Sequence, residues 1–279
     1  MFIVDAQVHI WGENTPERPW PQGRSRPHRP QAFTRDDLLR EMDAAGVARA
    51  VLVPPSWEGD RNDLGLAAAA AYPDRFAVMG RPPLMPAPLT QWRRQRGMLG
   101  LRVTSNVAEA QTLFADPTAW LWAEADRNRL PVMVSAPGML PRIDAIAERH
   151  PGIRFVVDHL GLRRDEKDAA AFADLPQLLA LARRPNIAVK ASALPAYSSE
   201  AYPYRGLHSY LRQVFDAFGP TRMFWGTDLT RLPCSYGQAI AMFVEELPWL
   251  ASADLEWVMG RGVCEWLVWP LPGEYREYA

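Results

Sequence analysis

Hydrophobic positions along the 279-residue chain recur in two alternating rhythms. Short apolar runs at Phe2–His9, Ala50–Val53, Phe76–Met79, Gly100–Val103, Val132–Ser135, Arg154–Asp158, Ile187–Lys190 and Met223–Trp225 predict strands. Between them, helical spacing predicts helices over Arg35–Ala45, Leu64–Tyr72, Thr118–Asn128, Leu140–His150, Ala169–Arg183, His208–Phe218 and Tyr236–Glu246. Thr34 is placed to cap the first helix and Gly46 to end it, while Pro151-Gly152 and Gly219-Pro220 stop two others. Strands joined through crossover helices must pair in parallel, because each connection travels back along the sheet. Eight such units predict a (β/α)8 TIM barrel rather than an open sheet, as a single domain over residues 1–279. The third crossover, around Gln91–Arg96, is short and poorly patterned.

One segment has neither rhythm. Gly12–Phe33 is rich in Pro and Arg, contains Trp20, and is longer than the ~12–15 residues of ordinary structureless loops. Because it follows the first strand it is expected to hang over the barrel mouth, as a lid loop at 12–33.

The first strand also carries an unusual row of polar residues. Successive strand side chains point to opposite faces. Phe2, Val4, Ala6, Val8 and Ile10 then form an apolar face under the outer helices, and Asp5, Gln7 and His9 point into the barrel. Barrel interiors are normally filled by branched apolar residues, and a desolvated polar group without a partner costs ~1–3 kcal/mol. The row is either a buried hydrogen-bond network or a site. His9 stands at the C-terminal end of its strand, where barrel enzymes keep their chemistry, and this favours a site.

Two other strands end similarly, Phe155–Val157 in Asp158-His159 and Met223–Trp225 in Gly226-Thr227-Asp228. Strands 4 and 7 carry Arg102 with Thr104 and Lys190 with Ser192. A buried cation needs a partner, either Asp5 or Asp158, or a substrate carboxylate that suits the guanidinium fork. Arg163, Arg205 and Arg231 lie near strand-end loops and read as solvated surface charge or as an extension of an anion site, Trp57 as a pocket wall or a packing residue, and the stripe Trp249–Trp269 as core.

Composition narrows the function classes. A net charge of −1 gives no basic surface for nucleic acid or an anionic membrane. Cys234 and Cys264 make no disulfide framework. The opening MFIVDAQVHIW lacks a basic leader, and no run reaches the ~18 apolar residues of a membrane span. A soluble cytoplasmic protein is expected.

The segments DAQVHIW, GLRV, VVDHLG, VKAS, FWGTD and VMGRGVCEWL occur in the order found in the amidohydrolase-related (amidohydrolase 2) barrel hydrolases. The chain resembles lactonase-like members of that family over nearly its whole length. The resemblance implies a (β/α)8 TIM barrel of the amidohydrolase superfamily type and a hydrolytic or decarboxylating reaction. It also implies that His9, His159 and Asp228 occupy the first-, sixth- and eighth-strand site positions. Members usually open with Asp-x-His-x-His, whereas here Gln7 stands at the first histidine position. A carboxamide is a poor zinc ligand. The expected enzyme therefore hydrolyses a carboxylate-bearing lactone with Asp228 as base and no obligatory cofactor. His9, His159 and Gln7 would donate to the oxyanion, and Arg102, Lys190, Ser192 and Trp57 would bind the anionic small-molecule substrate. The alternatives are a zinc or manganese hydrolase or decarboxylase with His9, His159 and Asp228 as ligands, and a non-catalytic barrel that binds a small acid. A homo-oligomer is compatible with each. Gly262-Val263, where the family has Asn-Ala, is a second departure.

Overall fold

The computed structural model describes residues 1–24, 26–106 and 108–273, which leaves Ser25 of the 12–33 loop and residues 274–279 of the expected domain outside it. Eight strands form one sheet in sequence order: β1 (Val4–Val8), β2 (Arg49–Leu52), β3 (Phe76–Gly80), β4 (Met98–Thr104), β5 (Val132–Ser135), β6 (Phe155–Val157), β7 (Ile187–Ser192) and β8 (Met223–Gly226). Each pairs in parallel with the next. The result is the predicted TIM barrel, and its sheet closes where β8 meets β1. There the Asp228 amide donates to the Gln7 carbonyl at 2.7 Å, and the Asp5 carboxylate accepts the Thr227 amide at 2.9 Å. Gly226 permits this approach, since a Cβ on it would lie 3.2 Å from the Gln7 nitrogen.

The face assignment of the first strand needs correction. Its register against β2 slips between Asp5 and Val8, so β1 carries one extra residue, a β-bulge. Strict alternation breaks there. Val4 and Ala6 join the interior cluster with Val51, Val53, Met79, Met133 and Phe224, while Val8 and Ile10 pack in the outer layer with Leu38, Leu52 and Val78. Gln7 and His9 stay inward, but Asp5 turns outward to the hydroxyl of Tyr236, which sits on the helix Tyr236–Val244.

Local signals account for some of the helices. Thr34 and Asp37 form a capping box, and Gly46 ends that helix with φ of 72°. The third crossover holds a single 3-10 turn at Trp92–Arg94. The helix expected over Ala169–Arg183 breaks into Asp168–Ala171, Leu175–Ala180 and a 3-10 turn at Leu181–Arg183. Pro176, which has no N–H, fits the start of a helix and not its middle. A helix at Ala108–Ala115 was not anticipated. Val263, Cys264 and Leu267 plug the N-terminal end of the barrel, and Gly262 lies so close to Phe224 that an added Cβ would meet its ring at 3.1 Å. Both cysteines are free thiols. Among the described residues, no helix is long and apolar enough to cross a membrane.

Candidate active site

The strand ends converge as their sequence position suggested. His9 follows β1, His159 follows β6 and Asp228 follows β8. His159 and Asp228 leave their strands in the left-handed region, at φ of 50° and 53°. That conformation costs a residue with a Cβ of the order of 1 kcal/mol, and it turns both side chains off the strand into the mouth. His9 Nε2 lies 3.3 Å from Asp228 Oδ1, and His159 Nε2 lies 3.8 Å from Asp228 Oδ2.

Hydrogen bonds behind each ring decide what faces the cavity. His9 Nδ1 contacts the Val53 carbonyl oxygen, which can only accept, so Nδ1 carries the hydrogen and Nε2 presents a lone pair. Asp228 Oδ1 is buried and takes no hydrogen bond among the described residues. Two acceptors therefore face each other across 3.3 Å. His159 Nδ1 is held by Ser192 Oγ at 2.8 Å.

Burial lowers the basicity of all three imidazoles near Asp228: His9 falls, and His28 and His159 drop to about 3. Burial alone would raise Asp228, but attraction to His9, His28, His159 and Arg231 outweighs it and holds the carboxyl well below its usual range. At neutral pH the group is a carboxylate among neutral rings.

Below these residues lies a second, closed layer. Lys190 is fully buried, 2.7 Å from Asp158 Oδ1 and bonded to Gln7 Oε1, and Arg102 Nε reaches Asp158 Oδ2 at 3.2 Å. The partner of both cations is Asp158; the other candidate, Asp5, is turned away. Gln7 directs its oxygen to the ammonium and its NH2 toward His9 Nε2, at 3.5 Å.

The cavity itself measures about 160 Å³, below the ~300–1,000 Å³ of drug-sized sites. His9, His159, Asp228, Trp57 and Arg102 line it, as expected. Lys190, Ser192 and Gln7 do not: each acts from behind, on Asp158, His159 and His9 respectively. The expectation that His9 donates to an oxyanion also needs revision, because its one hydrogen is committed to Val53. Arg163 and Arg205 are surface charges, paired with Asp174 and Glu246, whereas Arg231 lines the cavity with only 13% of its side chain exposed.

Sequence reasoning missed His28, Arg164 and Tyr197, all of which line the cavity. His28 comes from the 12–33 loop, whose ends are joined by an antiparallel bridge between Trp11 and Phe33. Arg18 ties the loop to Glu58 at 2.7 Å and to Asp63 at 2.6 Å. His28 Nδ1 meets Thr230 Oγ1 at 2.8 Å and Nε2 meets Arg164 Nη2 at 2.7 Å, with its ring 4.9 Å from that of Trp57. The available signal was a rare residue: one of five histidines falls in the loop expected over the mouth.

A family model described as Amidohydrolase matches residues 4–279. In sequence the chain is 29% identical over 262 residues to an L-fucono-1,5-lactonase of Burkholderia ambifaria, covering 85% of this chain and 83% of the relative. It is 25% identical over 231 residues to a 4-sulfomuconolactone hydrolase of Hydrogenophaga intermedia, covering 80% and 73%. In structure it matches an amidohydrolase of Burkholderia multivorans with bound zinc, with a TM-score of 0.78 at 22% identity over 97% of this chain and 100% of the other. A probable 2-pyrone-4,6-dicarboxylic acid hydrolase of Acinetobacter baumannii with citric acid bound gives 0.74 at 17% identity over 96% and 100%. At these identities the structural matches speak for the fold.

Proposed function

Since the chain belongs to the amidohydrolase family, and is thereby a hydrolase, we propose that it opens a carboxylate-bearing lactone using water activated by Asp228, without an obligatory metal. The observation that carries this reading is the facing pair of acceptors, His9 Nε2 and Asp228 Oδ1, 3.3 Å apart. A water molecule supplies one hydrogen to each, and its oxygen lone pairs remain free for a carbonyl carbon. The names of the relatives, a fuconolactonase and a sulfomuconolactone hydrolase, support lactones as the substrate class.

Asp228 takes the proton as the water oxygen bonds to the carbonyl carbon. The carbonyl oxygen becomes an oxyanion beside His159 Nε2 and the terminal nitrogens of Arg102, whose Nε stays on Asp158. Preorganised donors of this kind contribute roughly 10²–10³ in rate each. When the tetrahedral centre collapses, the ring C–O bond breaks and the proton on Asp228 passes to the departing alkoxide, which yields the hydroxy acid. At neutral pH Asp228 is ionised and able to accept the proton, and without a metal to polarise the carbonyl the reaction is confined to activated carbonyls such as lactones. The 12–33 loop, with His28 against the cavity and Arg18 clamped to Glu58, serves as the lid that excludes bulk water.

The family also implies a divalent metal, which would be held by His9 Nε2, His159 Nε2 and Asp228, the two rings being braced through Nδ1 as metal-binding histidines are, although among the described residues no three such groups are disposed to hold a metal ion. A metal held there would lower the pKa of a bound water to ~7. The fourth side favours metal-free operation, because Gln7 presents an amide N–H edge in place of a lone pair. Assaying a lactone panel together with metal analysis decides the matter. Turnover by protein stripped with chelator supports the reading; activity that tracks one equivalent of zinc or manganese overturns its metal-free part, and no turnover of any lactone overturns the substrate class.

A further inference from the structure

The cations around the cavity are not equivalent. Lys190 and Arg102 are committed to Asp158. Arg231 is largely buried, yet its hydrogen-bond partner is the neutral Tyr197 hydroxyl at 3.2 Å, and its guanidinium packs over that ring at 4.8 Å. Asp228 Oδ2 lies 3.7 Å from it, close enough for charge attraction but with no hydrogen bond. Arg164 bonds through Nη2 to the neutral ring of His28. Its neighbour Arg163 turns the other way and bonds Asp174 at 2.8 Å. Two like charges thus meet at one wall of a cavity, each bonded to a neutral group. Desolvation and the nearby Arg231 both disfavour the charge on Arg164. A bound anion reverses that balance, and the forked donors of a guanidinium match the two oxygens of a carboxylate.

His28 fixes one side of this arrangement. A guanidinium only donates, so His28 Nε2 accepts from Arg164, and Nδ1–H therefore donates to Thr230 Oγ1. One ring belonging to the loop links the segment after β6 to the segment after β8, two residues past Asp228. The position of Arg164 depends on where that loop sits.

We propose that Arg164 and Arg231 form the subsite that holds the substrate carboxylate, and that His28, carried by the 12–33 loop, positions Arg164 for it. This rests on the lactonase reading for its substrate and goes beyond it in assigning the anion to residues other than Arg102 and Lys190. The carboxylate sits on the β6–β8 side of the mouth, which sets the lactone carbonyl over Asp228 and His9.

The test compares one lactone bearing a carboxylate with the same lactone bearing a carboxamide. The wild type prefers the carboxylate. Arg164→Gln is expected to raise KM for the carboxylate at least tenfold, change kcat less than threefold, and lower the preference for carboxylate over carboxamide by the same tenfold. His28→Ala gives a smaller rise in KM, about fivefold, which His28→Gln largely restores because a carboxamide can also accept from Arg164 and donate to Thr230. The double variant is expected to be no worse than Arg164→Gln alone, as for residues acting through one contact. Equal losses on both lactones, a collapse confined to kcat, or additive effects overturn the proposal. If Arg164→Gln does not fold, Arg164→Lys keeps the charge without the fork and is held to the same preference criterion. If the wild type opens no lactone, the reaction reading fails and calorimetry with succinate tests the subsite by itself. Binding weakened tenfold by Arg164→Gln sustains it; binding unchanged, or absent in the wild type, overturns it.

Discussion

Asp5 and Asp228 belong to neighbouring strands of one barrel and are both buried, at 0% and 2% exposure, but their surroundings are opposite. Asp5 accepts from the amides of Gln7 and Thr227 and from the hydroxyls of Thr227 and Tyr236. Its capacity is filled, and it seals β8 against β1. Asp228 has an oxygen with no donor, facing the lone pair of His9 at the cavity wall. Asp158 is a third case, buried against Lys190 and Arg102. Burial alone does not separate Asp228, the proposed base, from Asp5 and Asp158; the unfilled acceptor on the cavity does.

Three substitutions and one titration can break that contrast. Asp228→Asn is expected to lower kcat/KM about 10³-fold, within the range for loss of a general base, with little change in thermal stability. A variant within tenfold of the wild type would remove Asp228 from the base role. Lys190→Met strands Asp158 and is expected to lose roughly 3–5 kcal/mol in a urea titration, as for other broken buried pairs; a loss under 1 kcal/mol would show that Arg102 alone satisfies Asp158. Asp5→Asn is expected to lose about 2–3 kcal/mol of stability, from hydrogen bonds to a charged group, while the folded enzyme keeps kcat within threefold. Intact stability with a 100-fold loss of kcat would make Asp5 chemical and not structural.

The pH dependence tests the same contrast by titration. His28 and His159, at about 3 in the folded state against 6.5 unfolded, favour the native state fully above pH 6.5 and progressively less as the pH falls toward 3. Asp5 is raised by burial to about 6, against its hydrogen bonds, so between pH 6 and 3.8 its protonation favours the native state and opposes that fall. The melting temperature is expected to decline from pH 6.5 to 4, more steeply in Asp5→Asn than in the wild type. Over pH 5–8, kcat/KM is expected to show no inflection from His28, His159 or Asp228. An acid limb near pH 6.5 would mean that one of these rings titrates normally.

Much of the site was legible where function coincides with a strand end. His9, His159 and Asp228 follow apolar runs, and the rule that barrel chemistry sits at those ends brought them together. Residues acting from loops or through bulges were not legible. The extra residue in β1 reversed the facing of Asp5, because a period of two carries no memory across a slip. Arg164 and Arg163 are indistinguishable as neighbours in a turn, yet one lines the cavity and the other bonds Asp174. For Lys190 the sequence leaves a carboxylate of the barrel and one of the substrate equally open, and only its full burial against Asp158 chooses between them.

The sequence by itself determined the order of the strands and most of the crossover helices, the parallel barrel that follows, and the strand-end residues of the mouth, because each is written in local periodicity and spacing. The tertiary structure alone decided which groups are spent and which are open. Whether a buried donor or acceptor is filled depends on atoms far apart in the chain, such as Val53 on His9, Tyr236 on Asp5 and His28 on Arg164, and no local pattern records those pairings.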